Sequence, residues 1–113
     1  MLLFKKKFLD AIRSGEKTQT IRLWKHRRMR SGQRSYIPGI GPIQITSVET
    51  IELDDLTEED ARRDGFDSAQ ALREEIDAIY AADSERAEYQ PYRVRFKLLD
   101  EKPREESDAN QAV

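Results

Sequence analysis

Lys17, Thr18, Thr20 and Arg22 place an amine, two hydroxyls and a guanidinium within six residues, just after Gly15. A buried lysine loses its proton more readily and can act as a base or polarise a carbonyl. A hydroxyl within reach of such a base becomes a nucleophile or a ligand donor. Thr18 and Thr20 are two apart, so on a strand they share a face, and Arg22 continues it. An arginine there can clamp a phosphate bidentately or neutralise the acids of residues 54–67. The run Trp24-Lys25-His26-Arg27-Arg28-Met29-Arg30 follows. Lys25, Arg27, Arg28 and Arg30 are suited to phosphates, and Trp24 either stacks on a base or packs into the core. Each group also has an ordinary reading as solvated charge or strand residue, and the residues alone leave both open.

Other chemistries are excluded by composition. There is no cysteine and one histidine, His26, so neither a thiolate nor a multi-histidine metal site can form. No phosphate-cradling glycine loop and no Ser/His/Asp set is present. Neither a metal nor a cofactor is expected.

The elements that must hold these groups are read from periodicity. Phe4, Phe8 and Ile12 recur at helical spacing, and Gly15 ends that first helix. Residues 18–23 alternate as a strand with Ile21 and Leu23 on one face. A basic loop, a short strand over 34–37 and the breaker Pro38-Gly39-Ile40-Gly41-Pro42 follow. Ile43, Ile45, Val48 and Ile51 indicate a long strand, bulged near Ser47. Thr57 caps a short helix, with Asp60 at the reciprocal capping position and Gly65 as its stop. Asp67 or Ser68 caps a second helix to about Tyr80, burying Ala69, Leu72, Ile76, Ile79 and Tyr80. Tyr89 to Leu99 is a closing strand with Tyr92, Val94, Phe96 and Leu98 inward. The expected fold is α+β: a partly open antiparallel β-barrel with an N-terminal helix and a helical insertion before the last strand. One domain spans residues 1–100, and residues 101–113 are an apolar-poor, charged tail expected to be disordered.

The net charge of −2 hides a segregation. Residues 1–34 hold eleven Lys/Arg and two acids, whereas residues 35–88 hold four arginines and fifteen acids. A local basic patch can therefore meet phosphate while the remainder repels it. Charges interrupt every apolar run, so no membrane partner is expected, and the order of charges at the N-terminus is wrong for a secretory signal. A cytoplasmic location is the default expectation.

The element Gly15-Glu16-Lys17-Thr18-Gln19-Thr20-Ile21-Arg22, then Gly32, the long strand, Leu53-Asp54-Asp55-Leu56-Thr57-Glu58-Glu59-Asp60-Ala61 and the ending Val94-Arg95-Phe96 together resemble an ASCH domain over about residues 4–98. The resemblance implies a PUA-like β-barrel with a cleft that binds RNA or a modified nucleoside. The layout is similar to small bacterial members that are 4-acetylcytidine amidohydrolases. In them a lysine and a threonine of this signature and a glutamate after the Leu-Thr-Glu segment are catalytic. The matching positions here are Lys17 as base, Thr20 as nucleophile and Asp64 as the carboxylate, one methylene shorter than glutamate. The leading expectation is RNA or modified-nucleotide binding, with Lys17, Thr20 and Arg22 on the cleft floor and the basic run on phosphates. Metal-free deacetylation is the alternative, followed by a ribonuclease or a protein-interaction module using the acidic helices 57–80.

Overall fold

A computed structural model of the chain describes residues 1–99; the expected tail over residues 101–113 lies outside them. Four antiparallel strands form one sheet in the order β1-β4-β3-β2. They are β1 (Gln19–Trp24), β2 (Arg34–Ile37), β3 (Gly41–Thr50) and β4 (Gln90–Leu98). The α+β class holds, and among the described residues the sheet stays open, with β1 and β2 as its edges. β2 and β3 form a tight hairpin through the Pro38–Gly41 breaker, pairing Ile37 with Gly41. The β3–β4 register slips between Ile45 and Ser47, at the expected bulge.

The sheet is covered on both faces. On one, Ile45, Val48, Tyr92, Val94 and Phe96 pack with Leu2, Ile12, Trp24 and Met29. On the other, Ile21 and Leu23 meet Leu56, Ala61, Leu72 and Ile76 from the helical insertion. That insertion holds α2 (Glu58–Arg63) and α3 (Ala69–Tyr80). Thr57 and Asp60 form a reciprocal capping box at the start of α2, and the Ser68 hydroxyl accepts from the Ala71 amide at the start of α3. No helix among the described residues is long and apolar enough to cross a membrane.

Three expectations change. The first helix does not begin at Phe4: α1 is Leu9–Ser14, preceded by a 3-10 turn over Lys6–Phe8. The Leu2 amide donates to the Tyr36 carbonyl at 2.9 Å, and Arg22 donates to the Leu3 carbonyl at 2.5 Å. These bonds draw the first residues out along the sheet instead of into a helix. Ile79 is 47% exposed and Leu98 is also exposed. Arg93 and Arg95, on the opposite face of β4 from Val94 and Phe96, are half-buried because α2 covers that side and supplies Asp60.

Candidate functional site

Among the described residues β1 has a strand partner on one side only, β4. A cavity of about 380 Å³ lies at its other edge, touching both Thr20 and Ile21. Successive strand residues point to opposite faces, so a space that reaches both must wrap the unpaired edge. The extended residues Leu3 to Lys5 and Phe8 wall one side, and α3 walls the other. Bonds from elsewhere occupy part of the edge backbone. The Thr18 amide donates to the Arg63 carbonyl at 2.7 Å, and the Leu23 amide to the Tyr80 hydroxyl at 3.3 Å.

Lys17 and Asp64 meet at the floor, 3% and 2% exposed. Gly15 (φ 86°) turns the chain out of α1, and the Lys17 amide bonds back to Ala11, which aims Lys17 inward. Asp64 is the last turn of α2, and Gly65 follows at φ 85°. A Cβ at Gly65 would make only ordinary contact with Lys17 Cβ, at 3.5 Å, so it is the positive φ and not space that favours glycine at this turn. Lys17 Nζ donates to Asp64 Oδ1 in a very short contact and to the Asp64 carbonyl at 2.6 Å. Gln19 Nε2 donates to Asp64 Oδ2 at 3.4 Å.

Burial pushes the Lys17 ammonium below its ordinary range, against the pull of Asp64. Burial likewise pushes the Asp64 carboxyl up, against Lys17 and Gln19. Burial thus works against the charged form of both groups, and their mutual contact offsets it. The rings of Phe8, Phe66 and Phe4 lie 4.9, 5.5 and 5.7 Å from Lys17 Nζ and exclude water around it. Thr20 is buried at the same cavity. Its Oγ1 accepts from Arg22 Nε at 3.0 Å, which leaves its own proton free to be donated. Arg22 stacks on Phe4 at 4.8 Å. Its guanidinium is thus bound to the Leu3 carbonyl and Thr20, holding the N-terminal wall in place.

Of the residues singled out by sequence, the cavity gathers Lys17, Thr20, Arg22 and Asp64. The others lie elsewhere. Thr18 is outside the lining, with its amide on Arg63. Trp24 is 9% exposed and packs on Tyr92 with centroids 5.2 Å apart, so it is a core residue and unavailable to stack on a base. Lys25 pairs with Glu85 at 2.9 Å. Arg27 donates to the Val48 carbonyl at 3.0 Å and lies over Tyr92. Arg28 and Arg30 are exposed on the β1–β2 loop.

Sequence reasoning missed three participants. Gln19 sits on the strand face opposite Thr20 and was passed over as a spacer, yet it is fully buried and bonded to Asp60 and Asp64. Asp60 is more than a cap: it also receives Arg93 at 3.1 Å. Glu75 lines the cavity from α3, and its position on the apolar face of that helix was a usable signal.

Two solved structures share this architecture. One is the ASCH domain from Lactobacillus crispatus, with TM-score 0.66 and 20% identity, covering 78% of this chain and 67% of that one. The fold is ASCH-like. The second is a protein from Enterococcus faecalis described by the family model DUF984, with TM-score 0.61, 16% identity and coverage of 86% and 74%. At the level of sequence, no family model and no curated protein matches the chain. The ASCH-like fold therefore rests on the path of the backbone, and the chemistry of the cavity on this chain's own residues.

Proposed function

We propose that the ASCH-like cavity binds one modified pyrimidine nucleoside and removes an N4-acetyl group from it without a metal. The observation that carries this reading is the buried Lys17–Asp64 pair on the floor of a nucleoside-sized, aromatic-walled cavity that also contains Thr20. In the proposed reaction Thr20 Oγ1 attacks the acetyl carbonyl carbon and passes its proton to Lys17. The carbon–N4 bond breaks, and N4 takes that proton as cytidine leaves. Water then hydrolyses the threonine ester, releasing acetate and restoring the hydroxyl. Asp64 holds the amine and adjusts its basicity; it acts on lysine, so a side chain shorter than glutamate suffices. The similarity of the Lys17-Thr18-Gln19-Thr20 element to the amidohydrolase signature agrees with these roles.

The test is turnover of 4-acetylcytidine by the purified protein, with Lys17→Ala and Thr20→Val as controls. Cytidine release that both substitutions reduce by at least about 100-fold supports the reading. Release that persists in both rejects it.

RNA binding is the second reading, favoured by the exposure of His26, Arg28 and Arg30 on one loop. Arg27 and Lys25 have partners within the protein, so the phosphate contacts would fall to Arg28 and Arg30. Reversing those two charges should weaken RNA binding and flatten its salt dependence by about two phosphate contacts. Equal affinity and slope in that variant would remove this reading.

A further inference from the structure

Leu72, Glu75, Ile76, Ile79 and Tyr80 are the residues that α3 turns toward the cavity. Glu75 is the one carboxylate among them, and a carboxylate has no packing reason to stand on an apolar helix face. Its Oε1 is buried. Lys7 Nζ lies 2.7 Å from it and Lys5 Nζ 3.6 Å, which compensates its charge. Lys7 therefore holds this buried oxygen and keeps the carboxyl below its ordinary range. The second carboxylate oxygen remains to accept from a ligand hydroxyl in the cavity that Glu75 lines.

Depth in the cavity indicates which part of a ligand arrives there. Lys17 and Asp64 are the deep end, each side chain 3% exposed, while Glu75 is 17% exposed and its lysine partners more than half exposed. An acylated base directed at Lys17 and Thr20 fills the aromatic floor formed by Phe4, Phe8 and Phe66. Its sugar then extends toward the mouth, past Glu75 and Lys5. We propose that Glu75 accepts a hydrogen bond from a ribose hydroxyl and thereby selects nucleosides over free bases. This rests on the nucleoside reading of the cavity given above.

The experiment compares 4-acetylcytidine with 4-acetylcytosine, which lacks the sugar, on the wild-type protein, Glu75→Ala and Glu75→Gln. The wild type should favour the nucleoside by about tenfold or more in kcat/KM, expressed mainly in KM. In Glu75→Ala that ratio should fall to within about twofold of unity. Glu75→Gln keeps an acceptor oxygen and the side-chain length, and should retain part of the preference. An unchanged ratio in Glu75→Ala overturns the proposal. So do equal losses on both compounds, which mark a structural role. If the wild type turns over neither compound, the deacetylation reading fails by itself. Calorimetric titration with cytidine and cytosine then decides the role of Glu75. A nucleoside preference lost in Glu75→Ala supports it, and absence of preference or of binding overturns it.

Discussion

A lysine and an aspartate buried together are costly apart and tolerable as a pair. Removing one partner leaves a charge in an aromatic-walled space, and such changes typically cost about 3–5 kcal/mol. Asp64→Ala should therefore destabilise the fold by about that amount, measured by urea denaturation at neutral pH. The double variant Lys17→Met/Asp64→Leu should recover much of the loss, because no charge is left stranded. A double variant no more stable than Asp64→Ala would mean that the aspartate's helix-end bonds, and not the ion pair, hold this corner. Gly65 belongs to the same corner. Its φ of 85° is strained for any L side chain, so Gly65→Ala should cost about 1–2 kcal/mol and lower Tm. The sequence already marked Lys17, Thr20 and Asp64 through their likeness to a known signature. It did not mark Gln19 or Glu75, because a strand spacer and a helix-face acid look ordinary until their neighbours are in place.

At the level of elements, α2 carries both the capping box and Asp64, so its stability and the geometry of the site are linked. Thr57→Ala removes the side-chain acceptor for the Asp60 amide and should cost about 1 kcal/mol in chemical denaturation. Burial acts to raise the Asp60 carboxyl, but the Thr57 amide, Arg93, Gln19 and the Thr57 hydroxyl together hold it below its ordinary value of 3.8. With a lowered value in the folded state, the unfolded chain binds more protons. The carboxylate's contribution is thus present above pH 3.8 and is lost as pH falls through the lowered value. Asp60→Asn should flatten the acid limb of stability between about pH 2 and 5, read from urea midpoints. The caps, the bulge near Ser47 and the glycine stops were legible in the sequence because each follows from local backbone demands. The start of the first helix was not, since it is set by Tyr36 and Arg22, residues distant in sequence.

For the whole molecule, two apolar clusters on the two faces of one sheet share no member. Ile45→Ala and Ile76→Ala should each cost about 2–5 kcal/mol, and their effects should add within about 0.5 kcal/mol. A larger coupling would show that the sheet transmits strain between its faces. The charge segregation along the chain also resolves at this scale: Lys5 and Lys7 meet Glu75, Lys25 meets Glu85, and Lys17 meets Asp64. Much of the basic N-terminal third is thereby spent within the molecule, and Arg28 and Arg30 are left facing outward. By itself the sequence determined the α+β class, the strands and their bulge and the caps, because periodicity, capping and glycine punctuation act over a few residues; Lys17, Thr20 and Asp64 were marked only by likeness to a known signature. Only the tertiary structure decided that the candidate site is a cavity at the β1 edge, that Trp24 is core, and that Asp64 reaches Lys17. Those outcomes depend on which distant segments pack together, and burial, not residue type, sets what a lysine, a tryptophan or a carboxylate can do.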